Sequence, residues 1–374
     1  MDQVIISADP QYAAFDQFLQ RVGARRTFLV CDGSLPFLPI ADYLRSYSDQ
    51  HDRALVSFSD FSPNPTYESV RKGVACFRKE RCDLILAIGG GSAMDVAKCV
   101  KLYAEMDDTR NYLTQPIVPN SIPLICAPTT AGTGSEATQF AVIYYNGEKQ
   151  SISHPSCIPS AVLFDPDFLK TLPEYQKKST MLDAFCHAVE SLCSVRSTAE
   201  SNRFALRALQ ILIKNAEDYL GRNTCRSEML TAANLAGKAI NISQTTAGHA
   251  MAYKLTSLYG IAHGHAAALC VAELLPFMAD HMDLCVDPRG KEHLQGVFEQ
   301  LAAVFGRSDI ESMCEAVRQF ILQTGLSRPT ITDDTQLGLL CSSVNPVRLK
   351  NNPVPLDPQT IRAIYQRILT EQVN

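Results

Sequence analysis

The pattern of hydrophobic positions changes near the middle of the chain. In the first half, short runs of β-branched and aliphatic residues alternate with longer segments of helical periodicity. We predict strands over 26–31, 54–58, 83–88 and 123–127, and helices over 67–78 and from about residue 93. Strands that alternate with helices are typical of a parallel sheet covered by helices. The first half is therefore predicted to have a nucleotide-binding α/β architecture.

In the second half the strand signals fade, and amphipathic helical patterns follow one another. These patterns cover 179–194, 199–220, 225–245, 266–278, 294–305, 310–324 and 358–369. We place the boundary at Pro173, which gives an α/β domain over 1–173 and an all-helical domain over 174–374. A ligand is expected in the cleft between the two domains.

Composition narrows the class of protein. The chain has 374 residues, of which 46% are hydrophobic and 20% charged, as in a globular protein of two domains. A net charge of −5 without a long Lys/Arg block argues against nucleic acid or an anionic membrane as a partner. The absence of a leader-like N-terminus and of a long apolar run predicts a cytoplasmic protein. The 13 cysteines include no C-x-x-C pair and are expected to be reduced.

Candidate metal ligands lie in the second half. Asp183 and His187 are four residues apart in a predicted helix, so both side chains lie on one face. Such a pair alone is more often a surface contact or a capping feature. His249 and His263, however, stand among small and apolar residues, where an imidazole needs a partner. One carboxylate and three imidazoles suit Fe²⁺ or Zn²⁺, with a position left for a substrate oxygen.

Two loops that follow predicted strands have the composition of a phosphate site. The segment 89–92 is Gly-Gly-Gly-Ser before a helix, so backbone N–H groups can close on a diphosphate, although a plain tight turn is the alternative. The segment 128–136 combines glycines with hydroxyl groups, and an ordinary polar turn is its alternative. Asp32 follows the first strand, where it can bind an adenosine ribose or simply form a turn.

Together these motifs resemble the iron-containing (group III) alcohol dehydrogenases. The resemblance is carried, in family order, by Gly89-Gly90-Gly91-Ser92 with Asp95 and Lys98, the loop 129–136, Asp165-Pro166, Asp183-Ala184-x-x-His187-Ala188-x-Glu190 and His263-Gly264. It implies an NAD(P)-dependent dehydrogenase with a Rossmann-like N-terminal domain, an all-helical C-terminal domain and one divalent metal.

The resemblance also implies roles for individual residues. The metal ligands are Asp183, His187, His249 and His263. The dinucleotide-binding residues are Gly90, Gly91, Ser92, Thr129, Thr130, Thr133 and Lys149, to which we add Asn64; Asp32 matches the position associated with NAD over NADP. Where many members have a proton-relaying histidine this chain has Tyr253, which either serves in that role or forms a pocket wall. His265 is a second candidate for the relay, or a hydrogen-bonding residue behind the ligands.

A proline-bounded segment indicates the substrate. Residues 344–353 contain two cations and three side-chain amides, which suit an oxyanion and do not suit a regular helix; a solvated loop is the alternative. This segment and those around His249 and His263 resemble the family members that reduce sulfoacetaldehyde or phosphonoacetaldehyde. We therefore predict NADH-dependent reduction of sulfoacetaldehyde to isethionate, with phosphonoacetaldehyde to hydroxyethylphosphonate second. Arg348, Asn351 and Asn352 are the predicted anion contacts.

Three other classes stay open. One is a general short-chain alcohol dehydrogenase. Another is a dehydroquinate-synthase-like lyase, which shares the two-domain plan but needs a basic phosphate pocket, whereas residues 179–192 contain no Lys or Arg. A metal-free binding protein is disfavoured by the full ligand set. Because family members are often dimers or larger assemblies, a homo-oligomer is expected.

Overall fold

The described chain divides into two compact units. A computed structural model describes residues 3–51 and 53–371, without the side chains of 48–51 and 371. The two units meet in sequence between Leu172 and Pro173. Positions 1, 2, 52 and 372–374, which the predicted domain ranges include, lie outside the described residues.

The first unit is built around a parallel sheet. Its strands are β1 (Val4–Ser7), β2 (Arg26–Cys31), β3 (Ala54–Phe58), β4 (Leu84–Gly89), β5 (Leu124–Pro128), β6 (Phe140–Tyr145), β7 (Glu148–Ser153) and β8 (Ala161–Phe164), and its helices are α1 (Ala13–Val22), α2 (Ile40–His51), α3 (Tyr67–Lys79) and α4 (Gly91–Tyr103). Six of these strands pair in parallel in the order β1-β8-β5-β4-β2-β3. Every residue of β4 and β5 is buried, as expected for central strands covered by helices on both faces.

The order of the strands reverses beside β2. The chain passes from β2 outward to β3 and then returns to the other side of β2 as β4. The carboxyl ends of β2 and β4 therefore flank a topological switch point, which is where open α/β sheets bind ligands. The predicted α/β fold is confirmed, and β2 and β3 have the predicted bounds.

A β-hairpin that was not among the predicted elements follows the central strands in sequence. Strands β6 and β7 pair antiparallel, and Asn146 and Gly147 form the turn between them with φ angles of 52° and 77°. An Asn-Gly pair between two strands is a strong hairpin signal, because both positions require positive φ. The Asn146-Gly147 pair therefore carries enough information to predict this hairpin from the sequence.

The second unit is helical apart from one short pair of strands. It consists of α5 (Glu174–Cys193), α6 (Ala199–Glu217), α7 (Arg226–Ser243), α8 (Ala247–Tyr259), α9 (His263–Asp280), α10 (Lys291–Val304), α11 (Ile310–Leu322), β9 (Thr330–Ile331), α12 (Asp334–Ser342), α13 (Pro346–Leu349), α14 (Pro358–Ile368) and β10 (Thr370–Glu371). Helix α8 was not predicted. The expectation that 344–353 contains no regular helix is wrong for α13, because a proline is compatible with the first turn of a helix.

Two further observations concern the whole described chain. Across the described ranges, we find no helix with an apolar stretch long enough to traverse a bilayer. The cysteines are all free thiols, and most of them are buried, as expected from their distribution in the sequence.

Candidate metal centre

Three helices of the second unit bring the predicted ligands together. Asp183 lies on α5, His249 near the start of α8 and His263 at the start of α9, and their ligand atoms lie within 4.8 Å of one another. His187 is one turn beyond Asp183 on α5, and its ring centroid lies 4.4 Å from that of His249. The four predicted ligands are therefore neighbours, and all but His263 are buried.

Two glycines allow the helices to approach so closely. A Cβ atom added to Gly264 would lie 2.1 Å from the backbone oxygen of Ser179 and 2.6 Å from the Cβ of Asp183. A Cβ atom added to Gly248 would lie 3.0 Å from the carboxyl carbon of Glu190. Since both glycines adjoin a predicted ligand in sequence, they bring His249 and His263 against α5.

Glu190 orients His249. The Oε1 atom of Glu190 accepts hydrogen bonds from the backbone N–H of Thr246 at 2.9 Å and of His249 at 3.1 Å, as well as from the Thr246 hydroxyl at 2.9 Å. Its Oε2 atom accepts a hydrogen bond from Nδ1 of His249. The proton is thereby held on Nδ1, so Nε2 keeps the lone pair that a metal needs. Sequence reasoning used Glu190 only as part of a motif, although its i+7 spacing from Asp183 puts both on one helix face.

The charges of this cluster depend on one another. Burial opposes the ionisation of Asp183, yet the surrounding imidazoles lower its pKa below the ordinary value. Burial likewise opposes ionisation of Glu190, but His249 and the hydrogen bonds from Thr246 lower its pKa overall. For His249, burial favours the neutral ring, whereas Glu190 raises its pKa to about 9. The two ionised carboxylates therefore favour a positive charge in this cluster, either as a proton on His249 or as a bound cation.

The donor set fits a divalent cation. The Oδ1 atom of Asp183 and the Nε2 atom of His249 are 3.5 Å apart and buried, and neither forms a hydrogen bond with a described residue. Buried polar atoms are normally satisfied, so two such atoms facing each other point to a missing partner. A carboxylate oxygen combined with imidazole nitrogens is a set that Fe²⁺ and Zn²⁺ both accept.

Tyr253 and Arg348 extend the cluster. Tyr253 lies one turn after His249 on α8, and its ring stacks on that of His263 with centroids 4.9 Å apart and planes 9° apart. The guanidinium carbon of Arg348, on α13, lies 5.7 Å from the centroid of the Tyr253 ring. Of the three predicted anion contacts, Arg348 is therefore connected to the candidate metal centre through Tyr253.

The two asparagines of the predicted anion site are used differently. Both are buried. The Asn351 amide donates to the backbone oxygens of Ser243 and Thr245 at 3.0 and 2.8 Å, so both of its hydrogens are used. The Asn352 amide donates to the backbone oxygen of Val354 at 2.7 Å. These contacts hold the backbone of the segment in place and leave no amide hydrogen of Asn351 for an anion. The role of the two asparagines as anion contacts stays a prediction.

His265 lies apart from the predicted ligands. It is two residues from His263 on α9, and side chains at that spacing do not share a helix face. Its Nδ1 atom lies 3.3 Å from the hydroxyl of Tyr175, which also accepts a hydrogen bond from the backbone N–H of Ala262. Burial lowers the pKa of His265. Of the two candidate proton relays, the geometry favours Tyr253.

In the first unit, most of the predicted dinucleotide residues lie at the carboxyl ends of neighbouring strands. A Cβ atom added to Gly89 would lie 3.2 Å from a carboxylate oxygen of Asp32, so the ends of β2 and β4 are adjacent. The backbone N–H of Thr129 donates to the Gly89 oxygen at 3.1 Å. Gly90 lies beside Thr130 in the same way as Gly91 lies beside Thr133, and Ser92 follows in the first turn of α4. This is the arrangement of a phosphate site at a helix N-terminus.

Lys98 and Asp95, both on α4, hold the glycine-containing loop of residues 128–136 in place. Lys98 is fully buried, and its Nζ atom donates to the backbone oxygen and hydroxyl of Ser135 at 2.6 and 2.9 Å and to the backbone oxygen of Phe140 at 2.7 Å. Asp95 accepts from the Ser135 hydroxyl at 3.2 Å and from the N–H of Val142 at 3.1 Å. Burial raises the pKa of Asp95 to about 6. Both residues therefore position the loop.

Asn64 and Lys149 are linked through the hairpin. The backbone N–H of Tyr144 donates to the oxygen of Pro65 at 2.8 Å, and Tyr144 pairs with Lys149 across β6 and β7. Asn64 is exposed and has a φ of 59°. The segment after β3 and the strand that carries Lys149 are thus joined by Tyr144.

Comparison with known proteins defines the class of this fold and site. The profile of the family described as iron-containing alcohol dehydrogenase matches residues 3–166, and that of the C-terminal region of the Fe-containing alcohol dehydrogenase family matches residues 177–369. The chain belongs to the iron-containing alcohol dehydrogenase family, a family of oxidoreductases. The resemblance stated from the sequence is confirmed.

Particular relatives narrow the comparison. Phosphonoacetaldehyde reductase of Streptomyces viridochromogenes is 32% identical over 311 residues, which are 79% of this chain and 78% of the relative. The structure of sulfoacetaldehyde reductase from Bifidobacterium kashiwanohense in complex with NAD⁺ superposes with a TM-score of 0.83 and 25% identity, over 98% of this chain and 97% of that one. An iron-containing alcohol dehydrogenase from Thermococcus thioreducens has a TM-score of 0.86 over 98% of both chains; at 20% identity it shares the fold.

Proposed function

We propose that the chain reduces a two-carbon aldehyde bearing a phosphonate or sulfonate group to the alcohol, with NADH as the reductant. The proposal rests on Arg348, whose guanidinium lies over the ring of Tyr253, which in turn stacks on the candidate ligand His263. A guanidinium suits a tetrahedral oxyanion. Two relatives act, by their names, on phosphonoacetaldehyde and sulfoacetaldehyde. Both relatives support an anionic two-carbon aldehyde as the substrate class, and the order of sulfonate before phosphonate stays a prediction.

We assign Asp183, His187, His249 and His263 to one divalent cation, Fe²⁺ or Zn²⁺. When bound, the cation supplies a Lewis acid for a carbonyl oxygen and the nicotinamide supplies hydride. The Asp183 carboxylate contributes the negative charge of the donor set, and the imidazoles contribute neutral nitrogens.

We assign the proton-transfer step to Tyr253. In the direction of reduction its hydroxyl donates a proton to the oxygen of the forming alcohol, and in oxidation it takes the proton back. The Arg348 guanidinium lies over the ring of this tyrosine. Arg348 is assigned a different role, which is to bind the anionic group of the aldehyde.

The nucleotide is assigned to the first unit. Backbone N–H groups of Gly90 and Gly91 and the start of α4 are suited to the diphosphate. Asp32 lies at the end of β2, where its carboxylate binds ribose hydroxyls and repels a 2′-phosphate. The relative solved with NAD⁺ supports this assignment.

A panel of aldehydes tests the proposed function. Purified enzyme is assayed by loss of NADH absorbance with phosphonoacetaldehyde, sulfoacetaldehyde, a carboxylated aldehyde and propionaldehyde. The expected result is a kcat/KM for one of the first two that exceeds the value for propionaldehyde by about tenfold or more. A better rate with propionaldehyde would mean a general aliphatic alcohol dehydrogenase, and turnover without NADH consumption would mean a lyase.

The metal assignment is tested separately from the substrate. His263→Ala is expected to lose both the cation and activity while the far-ultraviolet circular dichroism stays unchanged, because His263 is only partly buried and its replacement leaves the buried ligands in place. His281→Ala, at the other end of α9, is the matched control and should keep both. Full metal content in His263→Ala contradicts the assignment.

A further inference from the structure

A group of charged side chains surrounds Glu273 on the helical unit. Glu273 lies ten residues beyond His263 on α9, roughly 15 Å along the helix axis. Arg318 of α11, Arg328 just before β9 and Arg367 of α14 converge on it. We call these four residues the arginine cluster. The reaction proposed above does not use it.

The carboxylate is buried, whereas the guanidinium groups are accessible. The Glu273 side chain is 7% exposed, and those of Arg318, Arg328 and Arg367 are 40%, 33% and 49% exposed. Arg318 donates to Oε1 at 3.0 Å and Arg367 donates to Oε2 at 3.0 Å. Arg328 lies 3.7 Å from Oε1 and also donates to the backbone oxygen of Arg367 at 2.8 Å. A ligand from solvent can therefore reach the cations.

The arginine cluster carries an excess of positive charge. Three guanidinium groups face one carboxylate, which leaves two positive charges without a partner among the described side chains. Glu315, one turn before Arg318, accepts instead from Gln319 at 2.6 Å. Within the described chain, Arg318 and Arg367 each use one nitrogen in these contacts, so the other N–H groups of both remain available.

Apolar side chains border part of the arginine cluster. A small surface concavity lies along one side of the cluster, where Arg318 and Arg328 are bordered by Leu269, Ile321, Leu322 and Ile368. The guanidinium groups of Arg318 and Arg328 therefore border apolar side chains, which screen a nearby charge less than water does.

We propose that the arginine cluster binds a small tetrahedral oxyanion of the phosphate class. A phosphate dianion matches the two excess charges, and its oxygens can accept from guanidinium groups of two different helices at once. The anion would join α11 and α14 to α9. Tyr365 of α14 also donates to the backbone oxygen of Met251 at 2.9 Å, so α14 is tied to α8 as well. Binding is therefore expected to raise the unfolding temperature of the enzyme.

The test uses the metal-loaded enzyme with inorganic phosphate, followed by calorimetric titration and thermal unfolding. Sodium chloride keeps the ionic strength constant, because general screening also affects surface charges. The expected result is saturable binding that the double variant Arg318→Gln/Arg367→Gln weakens by about tenfold or more. Arg362→Gln is the matched control, since it removes an exposed cation from the same helix as Arg367 and should not change binding.

Further variants distinguish the arginine cluster from the proposed substrate site, and a second ligand distinguishes inorganic phosphate from a phosphorylated metabolite. The titration is repeated on Arg348→Ala, which removes the phosphate binding expected at the proposed substrate site, so the saturable binding that remains is assigned to the arginine cluster. Arg318→Lys keeps the charge but loses the planar fork, so it should bind phosphate less tightly and still fold. A phosphate monoester that binds better than inorganic phosphate would indicate a phosphorylated metabolite. Absence of saturable binding, or equal binding by the double variant, overturns the proposal.

Discussion

Glu190 and His249 form a buried pair in which one carboxylate performs two tasks. Its Oε2 atom accepts a hydrogen bond from Nδ1 of the imidazole, while its Oε1 atom accepts from the backbone N–H groups that begin α8. The same side chain therefore fixes where the helix starts and which nitrogen of His249 faces Asp183. The position of one candidate ligand and its protonation are set together.

Glu190→Gln is expected to weaken metal binding by about 10- to 100-fold. A glutamine can accept at only one of the two positions, and its amide hydrogens would face the N–H groups of Thr246 or His249. The measurement is metal content after dialysis against a competing chelator. Glu174→Gln, on the same helix but exposed, is the matched control. Equal metal retention by both variants would remove the orienting role from Glu190.

Arg348→Ala is expected to lower kcat/KM for the anionic aldehyde by a factor of about 10 to 150, corresponding to about 1.5–3 kcal/mol. Propionaldehyde has no anionic group, so its kcat/KM should change much less. Lys350→Ala serves as the control, because it removes an exposed cation two positions further along the chain. If Arg348→Ala impairs both aldehydes equally, the residue affects the site as a whole and does not recognise the anion.

Asp32→Gly is expected to narrow the preference for NADH over NADPH. The carboxylate accepts hydrogen bonds from the N–H and hydroxyl of Ser34, which hold it at the end of β2. Removing it eliminates a repulsion of about 1–3 kcal/mol toward the 2′-phosphate. The ratio of kcat/KM for the two cofactors measures this effect, and Asp42→Asn on α2 is the control. Equal use of both cofactors by the unmodified enzyme contradicts the assignment.

Asp95 is expected to make the stability of the enzyme depend on pH. Burial raises its pKa from the ordinary 3.8 to about 6. Well below pH 3.8 the carboxyl is protonated in both the folded and the unfolded chain, so it does not affect the free energy of unfolding. As the pH rises from 3.8 toward 6, the unfolded chain releases this proton before the folded chain does. The free energy of unfolding therefore falls by about 3 kcal/mol in total and stays nearly constant well above pH 6.

Asp95→Asn removes that titration. The unfolding free energy of the variant minus that of the unmodified enzyme should therefore rise by about 2 kcal/mol between pH 4 and pH 7. Denaturant unfolding without added nucleotide, repeated across this range, measures the difference. A constant difference at all pH values would show that Asp95 titrates alike in the folded and unfolded chains.

The sequence pattern predicted the strands that consist mainly of apolar residues and the helix face that a four-residue spacing defines. The apolar runs of β2 and β3 gave both strands their observed bounds, and the four-residue spacing of Asp183 and His187 gave the face they share. Helix α8 was missed because alanine, glycine and histidine near its start give no clear amphipathic pattern. Its alignment with α5 depends on Glu190, which is distant in sequence.

Side-chain direction was the main quantity that sequence reasoning could not supply. Asn351 and Arg348 are close in sequence, yet one is buried against backbone oxygens and the other lies over Tyr253. Polarity alone does not separate these outcomes, because a buried amide and a ligand-binding amide look alike in a sequence. The direction of the His265 side chain could be predicted from the sequence, because a two-residue spacing on a helix puts it on a different face from that of His263.

The contact between Gly264 and the backbone of Ser179 has a consequence for how metal can be lost. Because the two helices touch main chain to main chain, the gap between Asp183 and His263 is set by the absence of a side chain at position 264. A methyl group there would separate donors that are themselves chemically intact. A variant with alanine at this position is therefore expected to lose its metal while it keeps the complete set of ligands.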